Sequence, residues 1–385
     1  PQPNLVLFLS LPLELSQKLL AKRYDGDASK KDIHEADLAY LEQCDRAARY
    51  AGEKLGWQFV EVSDGRQLYP VEQIRDELYR RICMLNFRQI TLADRPWIQT
   101  ALRQSDFMGC EYSFANNLAW CRGADSRICA FEGFYLICAF DTPDGTPHFS
   151  FPSGTGDLKQ VIAAMAAYAA AMQKPLVITG LTQQSLPLLQ AVFPEQFTLE
   201  NDRDSADYLY RTADFVALSG KKYHKKRNHI AQFARYAPVF SEMTPDDFAE
   251  CIAFAAESYN AKDGYTDASS VAEQYAIHTF FENFSALELK GGVLRVDGRL
   301  AAFSIGEPIC SNVFGVHIEK ADTRYHGAYP AMAREFAAHF AMDYTYLNRE
   351  EDLGIAGLRK SKLSYYPELL LEKWTATCHT PEKLC

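Results

Sequence analysis

The sequence predicts an α+β chain in which one plan of antiparallel strands, loop and helix occurs twice, preceded by a shorter α/β segment. Two observations predict this. Residues 1–83 alternate continuous apolar runs with helically spaced stretches, the pattern of parallel strands and crossover helices. Residues 84–216 and 217–385 each carry strands, an Asp-Gly turn, a glycine-bearing loop and a closing helix, an internal echo of one plan. With 385 residues and 48% hydrophobic content, the chain can bury the cores of two or three domains.

In order, "LVLFLSLP" from Leu5 reads as a buried strand. "EADLAYLEQCDRAARYAGEKLG" has helical spacing and stops at Gly56, "WQFVEVSD" is a second strand, and "PVEQIRDELYRRI" is a helix with Pro70 at its start. Lys18 through Lys31 is polar and reads as a loop carrying Lys18, Lys22, Arg23, Lys30 and Lys31. Met84 then opens "MLNFRQITLADRPWI", with a strand, Thr91 as helix cap and proline in the first turn, the signature of a fresh domain start. This suggests two reading frames joined at 83/84. The chain opens at Pro1, directly before a strand, so a missing beginning is expected.

In the first copy the strand at Phe134 is followed by the Asp144-Gly145 turn, a strand, a loop with Gly154 and Gly156, and a helix. In the second, Asp297-Gly298 joins strands that lead to "VHIEKADTRYHGAY" and a helix. Strand alternation puts His317 and Glu319 on one face, an imidazole beside a carboxylate suited to acid–base work, although a salt-bridged surface strand reads the same. Gly327 stands where backbone N–H groups could meet a phosphate. "LNREEDLGIAGLRKSKLSYYP" gathers Asn348, Arg349, Glu350, Glu351 and Asp352 at a strand end, with Arg359, Lys360, Lys362 and Tyr365 after it; surface salt bridges would look alike.

The formal net charge of -10 and pI near 5.5 argue against a general nucleic-acid coat. Against that background, "GKKYHKKRNHI" packs five Lys/Arg and two His into Gly220–Ile230. Read as a helix, Tyr223, Ile230, Phe233, Ala234 and Ala237 form an apolar stripe and Lys222, Lys225, Lys226, Arg227 and His229 face water, as a phosphate-binding or merely solvated face. The ten cysteines form no C-x-x-C pair and no metal-ligand grouping, so reduced thiols in the cytoplasm and no metal are expected. The most apolar run, "VIAAMAAYAAAM" from Val161, falls short of the roughly 20 residues a membrane span needs.

The order of elements in the two copies resembles the GNAT acyltransferase fold, in which a helix N-terminus receives the donor's pyrophosphate; only Gly327 and Ala328 match that family's acetyl-CoA loop. Residues 1–82 resemble the C-terminal part of a bacterial thymidylate kinase, which would make Lys18, Lys22 and Arg23 vestigial lid residues. The G-x-x-x-x-G-K-[ST] phosphate loop is absent, so the whole reads as tandem GNAT-like domains after a partial P-loop-kinase-like segment without kinase activity.

"GKKYHKKRNHI", "VHIEKADTRYHGAY" and "NREEDLGIAGLRKSKLSYYP" together resemble an uncharacterised bacterial family related to the phosphatidylglycerol lysyltransferase C-terminal domain and, more distantly, to Fem-type aminoacyltransferases. Gly357, Leu358, Lys362, Tyr365 and Pro367 match its G-L-x-x-x-K-x-x-F/Y pattern before a proline. The resemblance implies transfer of an aminoacyl or acyl group from aminoacyl-tRNA or acyl-CoA to an unknown amine or hydroxyl acceptor, with no tightly bound cofactor. His317 or Glu319 would take the proton and Tyr365 would give one. Lys222, Lys225, Lys226, Arg227, Gly327, Arg359 and Lys362 would hold donor phosphate, and Asn348, Arg349, Glu351 and Asp352 would meet substrate. The rivals are a thymidylate kinase whose phosphate-loop half is missing and a non-catalytic tRNA- or nucleotide-binding module.

Overall fold

The computed structural model describes residues 6–25, 27, 35, 37–82, 85–260 and 268–384. The chain divides into two units, Pro1–Met84 and Leu85–Cys385.

In the first unit β1 (Leu7–Ser10) and β2 (Gln58–Glu61) pair in parallel, Leu7 opposite Gln58, with α1 (Leu13–Arg23) and α2 (Leu38–Leu55) between them and α3 (Val71–Ile82) closing the unit. Asp37 caps α2 by accepting from the Tyr40 amide at 3.0 Å, and Gly56, left-handed at φ 70°, ends it. Lys18, Lys22 and Arg23 lie on α1 rather than in a loop. Pro12 precedes that helix, straight-chain residues favour it, and Leu15 buries beneath it. Lys30, Lys31, Cys83 and Met84 fall outside the described residues. The chain turns from β1 into α1 through Leu11-Pro12, which offers no glycine cradle for phosphate.

The second unit starts with β3 (Arg88–Gln89). Thr91 and Asp94 form a capping box, and α4 (Arg95–Ser105) follows with Pro96 in its first turn. Then come α5 (Phe114–Trp120), β4 (Ser126–Phe131), β5 (Phe134–Ala139), β6 (His148–Ser150), β7 (Ser153–Gly154), α6 (Leu158–Ala171), β8 (Leu176–Leu181), α7 (Leu186–Val192), β9 (Thr198–Asn201) and β10 (Asp207–Arg211). After α8 (Thr212–Ala217) and α9 (His224–Phe233) follow β11 (Val239–Glu242), α10 (Phe248–Asn260), α11 (Ala268–Glu282), β12 (Lys290–Val296), β13 (Arg299–Cys310) and β14 (Val313–Ala321). The chain ends with α12 (Ala328–Phe340), β15 (Tyr346–Asn348), α13 (Ala356–Leu363), β16 (Leu369–Leu371) and β17 (Trp374–Cys378).

Two mixed sheets of one design result. The first runs β3-β4-β5-β6-β8-β17-β9 and the second β11-β12-β13-β14-β15-β10-β16, with β7 beside β5. Each has one parallel pair, β6 with β8 and β14 with β15, joined across a helix, α6 and α12 respectively. The echo is real but displaced by one hairpin. The partner of Asp297-Gly298 (φ 48° and 77°) is Glu132-Gly133 (φ 47° and 81°), the β4–β5 turn, and not Asp144-Gly145. A glutamate holds the place usually given to Asn or Asp in such a turn, which hid the match.

Two strands change sheets. β10, from before residue 217, lies between β15 and β16 of the second sheet; β17, from the end of the chain, lies between β8 and β9 of the first. The boundary at 216/217 therefore does not divide the sheets. One face of the second sheet shares a core with the first copy, where Phe280, Phe303 and Ile318 join Ile98, Phe149 and Met165. Its other face packs on α12 through Phe314, Met332 and Phe336.

Ala376 of β17 is wholly buried in the first sheet. Ala376→Asp would bury an uncompensated carboxylate and should destabilise the second unit by roughly 3–5 kcal/mol. Denaturant unfolding followed by circular dichroism measures this.

Candidate active site

The parallel pair β14–β15 holds only from Val313–Gly315 opposite Tyr346–Asn348. Past Asn348 the chain turns to β10, the Arg349 amide donating to the Tyr208 carbonyl at 3.0 Å and the Tyr208 amide to the Glu350 carbonyl at 3.1 Å. β14 continues to Ala321, so the two strands splay. A bulge sits at the mouth of the splay: Ile305 pairs with Ile318 and Gly306 with Val316, leaving His317 as the extra residue. Alternation breaks there. Val316 joins the core on α12 and Ile318 the core shared with the first copy, so His317 and Glu319 do not act as one pair on one face.

His317 is buried and points at the first copy. Its Nδ1 lies 2.9 Å from Glu350 Oε1 and its Nε2 3.3 Å from Glu307 Oε1, while its ring stacks on Phe280 at 5.5 Å. Burial opposes the charge, but the two carboxylates outweigh it and hold the imidazolium up to about 9. At neutral pH it therefore carries both protons. The Ser113 hydroxyl donates to Glu307, and Asn116 Nδ2 donates to Glu350 Oε1 at 3.1 Å. Glu307, Ser113 and Asn116 escaped the sequence reading because the bond from Ser113 to Glu307 closes over 194 positions and no local pattern marks it.

On the other side of the splay Glu319 accepts from Arg349 Nη2 at 2.8 Å, and the Arg349 guanidinium lies 5.1 Å from the centre of the Tyr365 ring. Tyr365 stacks on Phe215 at 4.8 Å, and Lys226 Nζ stands 3.5 Å above its ring. Burial, then the Arg349 charge, lower the Lys226 ammonium to about 8. Burial raises the Tyr365 phenol well above its usual range. Arg349 Nη1 is buried and has no hydrogen-bond partner among the described residues.

The charged loop after β15 is anchored from within. Asn348 donates to Asp207 at 2.8 Å and to the Met108 carbonyl at 3.1 Å. Asp352 is fully buried, gripped by Arg359 at 2.8 and 2.7 Å, by Tyr208 and by Arg203; the Arg359 hydrogen bonds hold its carboxyl far below the usual range. Lys362 donates to the carbonyls of Arg349, Glu350 and Glu351 at 2.5, 3.2 and 2.5 Å. These contacts engage the donors of Arg359 and Lys362 within the chain, which explains the G-L-x-x-x-K-x-x-F/Y pattern as a brace: Lys362 ties down the loop and Tyr365 closes the splay.

The basic block is not a uniform face. Helix α9 ends at Phe233, Ala237 is left-handed, and Ala234 and Ala237 are exposed, so the apolar stripe reduces to Tyr223, Ile230 and Phe233. Lys226 turns into the splay, and Arg227 donates to the carbonyls of Leu218 and Gly220. His229 pairs with His326 at 2.9 Å. Lys221, Lys222 and Lys225 remain exposed, with Lys222 Nζ near the Tyr223 and Tyr366 rings. Gly327 caps α12 at φ 92°, and a side chain there would collide with the His229 carbonyl, so this glycine lets α9 and α12 touch.

A second buried cluster lies where the exchanged strands cross. Lys373 Nζ is 2.5 Å from Glu111, 2.7 Å from Asp207, 4.0 Å from Glu351 and 3.6 Å from Cys110 Sγ. Burial and the Asp207, Glu350 and Glu111 carboxylates push Glu351 up to about 7, against the pull of Lys373. Atoms of Cys110, Asp207 and Glu351 lie within 4.8 Å of one another, a cation-holding arrangement the sequence did not reveal; the Lys373 ammonium supplies the positive charge. The described cysteines are free thiols.

A doubled mixed α/β unit with a splayed parallel pair and polar groups on both sides of the splay is thus the class of protein present. The chain belongs to the phosphatidylglycerol lysyltransferase C-terminal family, whose model matches residues 102–377. That match lies within the second unit and lends no support to a kinase origin of residues 1–83 or to a fusion at 83/84. A conserved protein of unknown function from Bacteroides thetaiotaomicron is 37% identical, with TM-score 0.73 over 77% of this chain and 100% of that one. The C-terminal domain (DUF2156) of a candidate lysylphosphatidylglycerol synthetase from Agrobacterium fabrum is 12% identical, with TM-score 0.51 over 76% and 96%. FemX is 9% identical, with TM-score 0.52 over 76% and 97%. No protein of curated function matches the chain. No described helix is long and apolar enough to cross a membrane.

Two outcomes follow from these contacts. His317 is raised from an unfolded value near 6.5, so its stabilisation is complete below that pH and disappears as pH climbs through about 9. Between pH 6.5 and 9.5 the protein should lose roughly 2–3 kcal/mol more than His317→Gln does, in urea unfolding at each pH. Lys362→Met should cost roughly 2–5 kcal/mol by orphaning three carbonyls, as thermal unfolding will read.

Proposed function

We propose that the second unit transfers an aminoacyl or acyl group from a phosphate-bearing donor to an amine or hydroxyl acceptor. The observation that carries this reading is the splay, with Lys226, Tyr365, Arg349 and Glu319 on one side and His317, Glu350, Glu307 and Ser113 on the other. The helix between parallel strands and the bulge beside it support the tandem GNAT-like assignment. Membership of a lysyltransferase family favours aminoacyl-tRNA as donor.

In this reading Lys221, Lys222 and Lys225 meet donor phosphates. The unpartnered Arg349 Nη1 receives the negative charge that develops on the attacked carbonyl oxygen. Tyr365, protonated at neutral pH, is the donor for the leaving oxygen. His317 already holds its proton and Glu319 is paired with Arg349, so both position other groups rather than take the acceptor's proton. Arg227, Arg359 and Lys362 brace the site.

The test uses tRNA charged with radiolabelled lysine, and then with each other amino acid, in the presence of glycerol or ethanolamine. Discharge above a no-protein control is expected, with acetyl-CoA cleavage at background. Lys222→Gln with Lys225→Gln should weaken tRNA binding and flatten the slope of log affinity against log salt by up to about two units, read by fluorescence anisotropy. Binding without discharge of any charged tRNA would leave a binding module instead.

A further inference from the structure

A cleft of about 640 Å³ lies between α4 and α5 of the first copy and β13 of the second, lined among others by Arg103, Tyr112, Ser113, Glu307, Ile309 and Tyr344. Its floor is polar for a reason. Ser113 caps α5, its Oγ accepting from the Asn116 amide at 2.9 Å, and the same hydroxyl donates to Glu307. His317 approaches that same oxygen, Glu307 Oε1, from the other side at 3.3 Å. No described donor pairs with Glu307 Oε2, although the residue is only 7% exposed and lines the cleft. That oxygen is not among the buried polar atoms left without a partner, so it stands open to the cleft as an acceptor for an O–H or N–H.

The geometry points to this cleft as the acceptor site, holding a small alcohol or primary amine whose O–H or N–H faces Glu307, with Glu307 the catalytic residue that takes the proton. It rests on the transferase reading for its donor alone. As the acceptor's lone pair forms the bond to the donor carbonyl carbon, its X–H bond breaks and the proton passes to Glu307. The ester C–O bond then breaks with its pair on the leaving oxygen, which takes a proton from Tyr365. The Glu307 proton passes to solvent in the cleft and solvent returns one to the phenol, so the protein ends as it began. Ser113 and His317 are positioning residues that aim the carboxylate.

Two measurements on the full chain test this. In the first, the His317 ring signals of ¹⁵N-histidine-labelled protein, assigned with His317→Asn, are followed while ethanolamine or glycerol is added. A saturable shift is expected in the native protein and its loss in Glu307→Gln. No saturable shift with either probe would overturn the site, whatever any donor does. In the second, charged tRNA is discharged to glycerol or to hydroxylamine, a nucleophile that needs little help from a base. Glu307→Gln should slow the glycerol reaction by about 10²-fold or more and the hydroxylamine reaction by less than about threefold, with Glu307→Asp partly restoring the former. Equal loss with both nucleophiles, or loss with neither, would overturn the role of Glu307. A saturable shift without discharge of any charged tRNA by the native protein would retain the acceptor site and reject the donor reading.

Discussion

The Lys373 ammonium, held among Glu111, Asp207 and Glu351, is the interaction on which the second unit turns. Asp207 begins β10 and Lys373 directly precedes β17, so the ion cluster lies at the point where each sheet hands a strand to the other. Asn348 bonds to the same Asp207, and the Glu350 amide donates to Asn348 Oδ1 at 2.7 Å. Through these links the cluster fixes where β15 ends and therefore where the splay opens. Replacing such buried charges with apolar residues would often cost a protein nothing in stability; what they set here is register, because only one alignment of β10 and β15 brings all of them together.

The bulge at His317 divides the chemistry between two sides of one sheet. A regular strand would have kept His317 and Glu319 together. The extra residue sends the imidazole to Glu307 and Glu350 while Glu319 meets Arg349, so two sets of groups face each other through the opening between β14 and β15. Gly306 accommodates the irregular register opposite, since a side chain there would strike the Gly315 carbonyl.

Local signals in the sequence were read well. Gly56 as the end of α2, the Thr91–Pro96 start of α4 and the Asp297-Gly298 turn each depend on residues a few positions apart. Long-range facts were not legible: the strand exchange, the bulge and the ion cluster, whose Cys110 and Lys373 are 263 positions apart, leave no periodic trace. The basic block shows both sides of this limit. Its charge predicts a surface helix, and Lys225 obeys, but Lys226 turns inward because the Tyr365 ring offers it a face, and Arg227 turns back to donate to the Leu218 and Gly220 carbonyls. Likewise the stretch at 348–352 was singled out, while its charges proved to pair with residues outside it, Arg349 with Glu319, Glu350 with His317, Glu351 with Lys373 and Asp352 with Arg359.

The strand exchange also sets what can be inherited as a piece. A gene segment encoding either copy alone would specify a sheet short of an inner strand and leave an orphaned strand to pair with whatever edge it met. Shuffling or deleting half of this region therefore yields no smaller working part, whereas insertions in the turns outside the crossing disturb neither sheet. The smallest module that recombination can move intact is the pair.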